Sequence, residues 1–184
     1  MKQLLTESKK QLLTALALML ALFLLPIVVT AETPEEKGLA IVEEMDRRGQ
    51  GFQDSTADMI MTLKNKQGKE SVRELRSKVL EVVDDGDKSL TIFDTPKDVK
   101  GTAFLSFSHK VGDDDQWLYL PALKRVKRIS SRNKTGSFMG SEFSYEDMSS
   151  MVVEKYTYKW LRDEEYEGMD CFVVEFHPVD KEAG

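Results

Sequence analysis

Hydrophobic and polar residues are arranged in three different ways along the chain, and each arrangement predicts a different kind of element. Residues 12–29 form an almost continuous apolar run, residues 39–45 repeat apolar positions at helical spacing, and apolar residues alternate with polar ones from residue 57 onward. An apolar run near the amino terminus is typical of an export signal or a membrane anchor. Helical spacing of apolar residues indicates an amphipathic helix, and alternation of apolar with polar residues indicates a half-buried strand. The pattern therefore predicts a leader, one helix and then a chain dominated by β-strands.

The predicted helix begins at residues 33–36, where Thr, Pro and two Glu supply an N-cap, a first-turn proline and acidic side chains beside the positive end of the helix dipole. Its apolar face would consist of Leu39, Ile41, Val42 and Met45. Gly49 and Gly51 would end it. A helix that is apolar on one side must lie against an apolar surface, and we expect it to cover the concave face of the sheet that follows.

The remaining pattern predicts eight strands. They span residues 56–64, 71–83, 89–94, 102–109, 116–120, 124–130, 153–166 and 171–178. Short turns join most of them, which favours an antiparallel meander over a parallel α/β sheet. We expect a mainly β fold with helices, of the α+β class: a curved antiparallel sheet or incomplete β-barrel, covered by the amino-terminal helix and by a short helix over residues 144–151. The last predicted strand would leave an unpaired edge, so we expect the domain to be incomplete at Gly184.

Residues 1–31 have the layout of a cleavable secretory signal. Three Lys precede or flank the start of the apolar run, and the short side chains of Val29 and Ala31 suit cleavage after Ala31. The alternative is a retained inner-membrane anchor facing the periplasm, because the run approaches the length that spans a bilayer. Both interpretations place a single folded domain, residues 32–184, in the periplasm, where no ATP or nicotinamide pool drives chemistry.

Composition and charge narrow the possible classes of function. Without the leader the chain has 23 basic and 31 acidic residues, a net charge of −8 that argues against a nucleic-acid partner. Cys171 is the only cysteine, so an intrachain disulfide is excluded. His109 and His177 are isolated from other ligand-type residues, no nucleophile elbow occurs, and carboxylate pairs such as residues 146–147 and 164–165 lie in polar runs typical of a solvated face. We expect a protein that has no catalytic residues, metal or cofactor and is not an enzyme.

The segment 115–129 combines aromatic and basic residues on two predicted strands. Trp117 and Tyr119 share one face of the first strand, whereas the basic residues of the second, 124–128, are spread over both faces. One interpretation is a solvated strand pair in which the stems of Arg side chains cover aromatic rings. The other is a cationic rim beside an aromatic wall, suited to an anionic amphiphile such as a phospholipid or an acylated protein. The sequence leaves both interpretations open.

Two further features have both a functional and a structural interpretation. Phe138 and Met139 lie between glycines in the polar loop 131–143, as expected either of a flap over an apolar cavity or of a loop pinned on the core. Flexible methionine side chains suit a cavity that accepts variable acyl chains, but methionine also fills cores. The methionines after the leader are Met45, Met59, Met61, Met139, Met148, Met151 and Met169.

Segments 115–129 and 136–147 resemble the outer-membrane lipoprotein-sorting protein family, relatives of the periplasmic lipoprotein carrier of Gram-negative bacteria. They read DQWLYLPALKRVKRI and GSFMGSEFSYED. Residues 43–48 and 93–102 also match the family, and the resemblance covers nearly all of residues 38–180. It implies a half-open antiparallel barrel wrapped around helices, with an apolar cavity for acyl chains. Members of the family continue for several strands beyond the last predicted strand of this chain.

The resemblance and the strand pattern together imply a non-enzymatic protein that binds lipid or lipoprotein acyl chains, or transfers them toward the outer membrane, with an inner-membrane transporter as a further partner. The candidate apolar wall comprises Met59, Met61, Leu63, Leu75, Phe104, Trp117 and Tyr119. The candidate headgroup or partner contacts are Arg125, Arg128 and Arg132. The alternative is an envelope sensor or protein-interaction module that uses the same fold and docks a protein on residues 124–128.

Overall fold

The computed structural model describes residues 31–180, so the predicted leader lies outside the described residues apart from its last residue, Ala31. Within residues 31–180 one α-helix, α1, spans Pro34–Gly49. The strands are β1 Asp54–Lys64, β2 Glu70–Leu80, β3 Lys88–Thr95, β4 Ala103–Phe107, β5 Asp115–Leu120, β6 Arg125–Ile129, β7 Tyr156–Tyr166 and β8 Met169–Pro178. Single 3-10 turns lie at Pro121–Leu123, Ser131–Asn133, Glu146–Met148 and Val153–Lys155. Within the described part of the chain, no helix has both the length and the apolar character needed to span a bilayer.

The strands form two antiparallel sheets that do not close into a barrel. β1 to β6 pair in sequence order in a six-stranded sheet, and β7 and β8 form a separate two-stranded sheet. This order follows from the short connections, because consecutive strands joined by tight turns pair with each other before more distant ones can. The predicted fold class, a mainly β fold with an open antiparallel sheet and an amino-terminal helix, is confirmed. The short helix predicted over residues 144–151 is wrong, because this segment contains only the 3-10 turn Glu146–Met148.

The start of α1 is fixed by the residues that predicted it. The Glu36 backbone N–H donates to Thr33 Oγ1 at 3.1 Å, and the Thr33 N–H donates to Glu36 Oε2 at 2.8 Å. This capping box satisfies two backbone donors that have no partner inside the helix. The backbone hydrogen bond from Thr33 also lowers the pKa of Glu36. The local sequence is therefore sufficient to place the first turn of the helix.

The position of α1 corrects the expectation that it covers the concave face of the large sheet. Its packing contacts are with β7, β8 and the turn Val153–Lys155. Gly38 makes this possible, because a Cβ atom there would lie 2.6 Å from the Trp160 backbone nitrogen. Lys37 Nζ lies 3.6 Å from the centroid of the Trp160 ring. The helix therefore packs on the small sheet, and another segment covers the large one.

That segment is the loop between β6 and β7, residues 130–152, which covers one face of the six-stranded sheet. We call this face the inner face. Its core consists of Leu75, Phe93, Val99, Phe104, Leu118, Ile129 and Phe138. Phe138 is fully buried, and the centroid of its ring lies 5.3 Å from that of Phe104 and 5.6 Å from that of Tyr145. Of the two interpretations of the loop, the structure shows that Phe138 is pinned on the core.

Polar residues fix the other end of the same loop. Gln116 Nε2 donates to the Tyr145 carbonyl oxygen at 2.8 Å and to Ser149 Oγ at 2.9 Å. The Ser150 backbone N–H donates to Ser108 Oγ at 3.0 Å. Gln116 and Ser108 are buried, so these bonds satisfy polar groups that would otherwise destabilise the sheet. The loop is held by both packing and hydrogen bonds over most of its length.

A histidine connects the turn after β2 to the end of β4. His109 Nδ1 lies 2.9 Å from Asp85 Oδ2, and His109 Nε2 lies 3.5 Å from Asp115 Oδ2. The hydrogen bond to Asp85 raises the pKa of His109, and the same bond lowers the pKa of Asp85 to about 2. Gly86 is buried against this connection, because a Cβ atom there would lie 2.6 Å from Ser108 Cβ. The turn at residues 84–87 is thus held on the sheet by the titratable contact between His109 and Asp85 and by backbone hydrogen bonds from Lys110 to Asp85 and from Ser108 to Asp87.

Replacing His109 by glutamine should destabilise the protein more at about pH 5 than at about pH 9. The folded pKa of His109 is raised above 6.5, so its contribution to stability is present below that pH and is lost as pH rises through the folded pKa. The lowered pKa of Asp85 gives a contribution that is present above pH 3.8 and lost as pH falls toward 2. Urea unfolding of both proteins at the two pH values measures the effect. An equal loss of stability at both pH values would contradict it.

Candidate functional site

Three of the predicted wall residues form an apolar row at one edge of the inner face. Met59, Met61 and Leu63 occupy alternate positions of β1, so their side chains point to the same side of the sheet. We call this row the methionine strip. Met59 is 40% exposed, and Met61 and Leu63 are half-buried. Met61 packs against the core beneath the loop, and Gly140 and Glu142 of the loop lie beside Leu63, so Met59 is the most accessible member of the strip.

A cleft of about 400 Å³ lies at the end of the methionine strip, between the β1–β2 hairpin and the loop. It is lined by Leu63, Lys64, Asn65, Lys66, Lys69, Glu70, Ser71, Gly140 and Glu142. Its volume falls in the range of small-molecule sites. Lys64 Nζ lies 3.3 Å from Glu70 Oε1. The cleft therefore has an apolar end at Leu63 and a charged mouth in which lysine is the commonest residue.

Arg73 sets the distance between the loop and the strip. Its Nη1 donates to the Met139 carbonyl oxygen at 2.7 Å, and its guanidinium carbon lies 5.9 Å from the centroid of the Phe93 ring. Met139 has φ 53° and Gly140 has φ 79°, so two consecutive residues adopt the left-handed conformation and the backbone turns sharply at this point. The chain beyond this turn, at Gly140 and Glu142, lines the cleft.

A second cavity, of about 600 Å³, lies where the end of α1 meets the β2–β3 turn and residues 150–154. Its acidic lining residues are Asp46, Glu81, Asp84, Asp85, Asp87 and Glu154. Glu81 accepts hydrogen bonds from the backbone N–H groups of Gly51, at 2.6 Å, and Gln53, at 2.8 Å. Within residues 31–180 no group of three or more His, Cys, Asp or Glu side chains is arranged to hold a metal ion. The same lining includes the apolar residues Phe52, Val82, Val83, Met151, Val152 and Val153, interspersed with the carboxylates. We take the methionine strip as the candidate site because its three apolar side chains form a continuous row on one strand.

The other predicted wall residues do not join the strip. Leu75 and Phe104 lie on the inner face but are 3% and 1% exposed beneath the loop, so they form core rather than an accessible wall. Trp117 and Tyr119 lie on the opposite face, which we call the outer face, because Trp117 is paired with Leu105 and not with Phe104. Phe104 is paired with Leu118, and residues next to each other in a strand, such as Trp117 and Leu118, point to opposite sides of the sheet. Trp117 and Tyr119 therefore cannot line a cavity together with Phe104.

The three predicted arginines are exposed but are not brought together. Arg125 is paired with Leu120 on the inner-face side of β6, and Arg128 is paired with Trp117 on the outer face. Arg128 forms an ion pair with Asp115. Arg132 lies in the 3-10 turn Ser131–Asn133 that follows β6. The basic residues of β6 thus follow both faces, as their alternation predicted, and do not surround one site.

Sequence reasoning missed the lysines at the mouth of the cleft and the role of Arg73. Lys66 and Lys69 lie in the short connection between the first two predicted strands and Arg73 lies in the second, and none of the three was predicted to have a functional role. The available signal was their position: the turn at residues 65–68 must lie directly beyond Leu63, the last apolar residue of β1. A charged turn at the end of an apolar row is an amphipathic arrangement that could have been recognised from the sequence.

Three solved structures are similar to this chain. A protein from Vibrio parahaemolyticus, provisionally named an outer membrane lipoprotein-sorting protein domain, is 61% identical, with a TM-score of 0.79 over 82% of this chain and 63% of its own. A DUF1329 family protein from Desulfovibrio piger is 34% identical, with a TM-score of 0.74 over 80% and 62%. A LolA superfamily protein from Nitrosomonas europaea is 19% identical, with a TM-score of 0.53 over 79% and 61%, which shows a shared fold.

The fold therefore defines the class: an open antiparallel sheet of the LolA type. A family model described as "Uncharacterized protein" matches residues 85–184, more than half of the chain. The chain belongs to the family that this model describes. The name of the Vibrio parahaemolyticus structure agrees with the resemblance to lipoprotein-sorting proteins in residues 115–129 and 136–147. No curated protein matches it. The chain spans about three-fifths of the length of each of the three structures, and none of their names describes an enzyme.

Proposed function

We propose that this protein binds lipid or lipoprotein acyl chains without catalysing a reaction, and that it does so in the periplasm on a route toward the outer membrane. The observation that carries the proposal is the methionine strip, an apolar row at the sheet edge in which Met59 is 40% exposed and Met61 and Leu63 are half-buried. The name of the Vibrio parahaemolyticus relative supports it, because that name refers to lipoprotein sorting. Cleavage after Ala31, a single domain over residues 32–184 and an inner-membrane transporter as partner belong to the same proposal.

If the protein binds acyl chains, its affinity for them comes from the burial of apolar surface. Each methylene removed from water contributes about 0.8 kcal/mol, so an acyl chain gains by lying along Met59, Met61 and Leu63. Methionine adapts its shape to different chains because its side chain is unbranched and polarizable. Phe138 and the rest of the loop fill the centre of the inner face. The acyl chain would therefore lie at the edge of the sheet, with its end directed toward the cleft.

Replacing Met59 by glutamine should weaken the binding of a fluorescent fatty acid about ten-fold, the effect expected from losing one buried apolar side chain. Ile60→Gln is the matched control. Ile60 is the next residue of the same strand, is 74% exposed and points to the outer face, so its replacement should leave the affinity unchanged. Fluorescence titration of the three purified proteins measures both effects. Absence of binding by the unmodified protein would overturn the function, and equal effects of the two replacements would overturn the site.

The outer face supports the second candidate function, an envelope sensor or protein-interaction module. Half-buried Leu90, Leu105 and Trp117 are paired side by side there. The ring of Phe107 packs edge-on against Trp117 with centroids 5.3 Å apart, and Lys88 Nζ lies 4.7 Å from the centroid of Phe107. Aromatic and apolar residues beside a cation are typical of interfaces between proteins. Recovery of a membrane-protein partner that is lost on replacing Trp117, together with an absence of bound lipid, would favour this function.

A further inference from the structure

β1 is a long edge strand without a proline or a bulge, and its charged residues are Asp54, Asp58 and Lys64. Within residues 31–180 its one neighbour is β2, and the two strands pair over all eleven residues of β1 without a bulge. The strand contains no proline, and most of its residues are exposed. An edge of this kind presents a row of unpaired backbone N–H and C=O groups that can pair with another strand.

The other edge strand of the six-stranded sheet, β6, is protected against pairing with a second copy of itself, in contrast to β1. β6 has five residues, and three of them are Arg125, Lys127 and Arg128. If two copies of β6 paired antiparallel about their centre, Lys127 would face Lys127 of the partner subunit. Like charges placed directly opposite each other destabilise a strand pair. Charge therefore discourages self-association through β6, and β1 lacks an equivalent barrier.

The sequence of β1 is complementary to itself when two copies run antiparallel. Pairing about Met59 places Asp54 opposite Lys64 of the partner subunit, and Lys64 opposite the partner's Asp54, so two opposite-charge pairs flank the joined strands. In the same register Thr56 faces Thr62 of the partner subunit, another favourable pair. Within residues 31–180 Asp54 forms no ion pair, and the ion pair of Lys64 with Glu70 is largely exposed. Both charged side chains are therefore available to a partner.

We propose that two copies of this chain associate through β1, antiparallel about Met59, to form one continuous twelve-stranded sheet. On the inner face this register places Met59 beside Met59 of the partner subunit, and Met61 and Leu63 beside the partner's Ala57 and Ser55. The two methionine strips then become one apolar row that crosses the two-fold axis. Each subunit would contribute half of that row, so the dimer would extend the apolar surface without any new residue. The pairing itself does not depend on whether the row binds lipid.

Charge reversal tests both the partner and the register. Asp54→Lys and Lys64→Asp should each raise the dissociation constant of the dimer about ten-fold, because each replaces two attractive pairs by two repulsive ones. The double variant Asp54→Lys/Lys64→Asp should restore the original constant. Lys66→Asp, a charge reversal in the hairpin turn outside the paired strands, is the matched control and should have little effect. Sedimentation equilibrium of the full chain from micromolar to near-millimolar concentration measures all five proteins.

Cross-linking tests the register independently of charge. In a Cys171→Ser background, Met59→Cys should form an intersubunit disulfide on mild oxidation, because directly opposed residues lie at about 4.5–5.5 Å between Cα atoms. Thr62→Cys should not, since the two copies of residue 62 would be about 20 Å apart along the strands. A chain that remains monomeric at every concentration would overturn the proposal. So would a dimer that is indifferent to charge reversal and cross-links no better at position 59 than at position 62.

Discussion

Replacing Gly38 by alanine should lower the free energy of unfolding by about 3 kcal/mol, the upper part of the usual range for overpacking. Replacing glycine by alanine inside a helix normally raises the free energy of unfolding by about 1 kcal/mol, so a decrease is the opposite of the usual effect. The added methyl group would lie 2.6 Å from the Trp160 nitrogen and 2.8 Å from the Lys159 nitrogen. Both are backbone atoms of β7, so relief requires α1 to move away from the strand.

Gly49→Ala is the control for this prediction. Gly49 belongs to the same helix, and a Cβ atom there would meet no heavy atom within 4 Å. Its replacement should therefore leave stability unchanged or raise it by up to about 1 kcal/mol. Urea unfolding of the three proteins, followed by tryptophan fluorescence, gives the comparison. If Gly38→Ala proved as stable as Gly49→Ala, the close packing of α1 on β7 would be wrong.

Replacing Phe138 by alanine should cost about 4 kcal/mol of stability, as expected for the loss of a fully buried phenylalanine. The ring contacts Phe104, Tyr145 and Phe93, with centroids 5.3, 5.6 and 6.0 Å away. Its removal would leave a cavity between the sheet and the loop, because the loop is also held by hydrogen bonds from Gln116 and cannot collapse freely into the space.

Phe143→Ala provides the matched comparison in the same loop. Phe143 is 55% exposed, so its replacement should cost less than about 1 kcal/mol. Thermal and urea unfolding should therefore show that Phe138→Ala is much less stable than Phe143→Ala. The chemical change is the same in both variants, and the two positions are only a few residues apart. Similar stabilities for the two would mean that residue 138 is not a core residue and that the loop acts as a mobile flap.

The elements that depend on neighbouring residues were predictable from the sequence. The capping box of α1 is complete within residues 33–36, and the antiparallel order of β1 to β6 follows from short connections. The alternation in β5 also predicted correctly that Trp117 and Tyr119 share a face. Each of these features is decided by interactions over a few residues or by one strand and its immediate neighbour.

The features that depend on distant parts of the chain were not predictable in the same way. Whether a sheet face is core or surface depends on what covers it, and the inner face is covered by a loop whose pattern is not that of a helix or strand. For this reason Leu75 and Phe104 were expected on a cavity wall and are buried in the core. The position of α1 depends on the approach of Gly38 to Trp160, which no local pattern reports.

The burial of Phe138 has a consequence for how the protein exists between encounters with other molecules. A carrier whose interior is shaped by its cargo is unstable when empty, and must either stay loaded or be protected by a chaperone. In this protein, Phe138 and Tyr145 of the loop pack against the middle of the inner face and occupy the space that a ligand there would need. The core beneath the loop is therefore filled without a ligand, and on the proposed function a ligand at the edge of the sheet would bind and dissociate without rearranging that core.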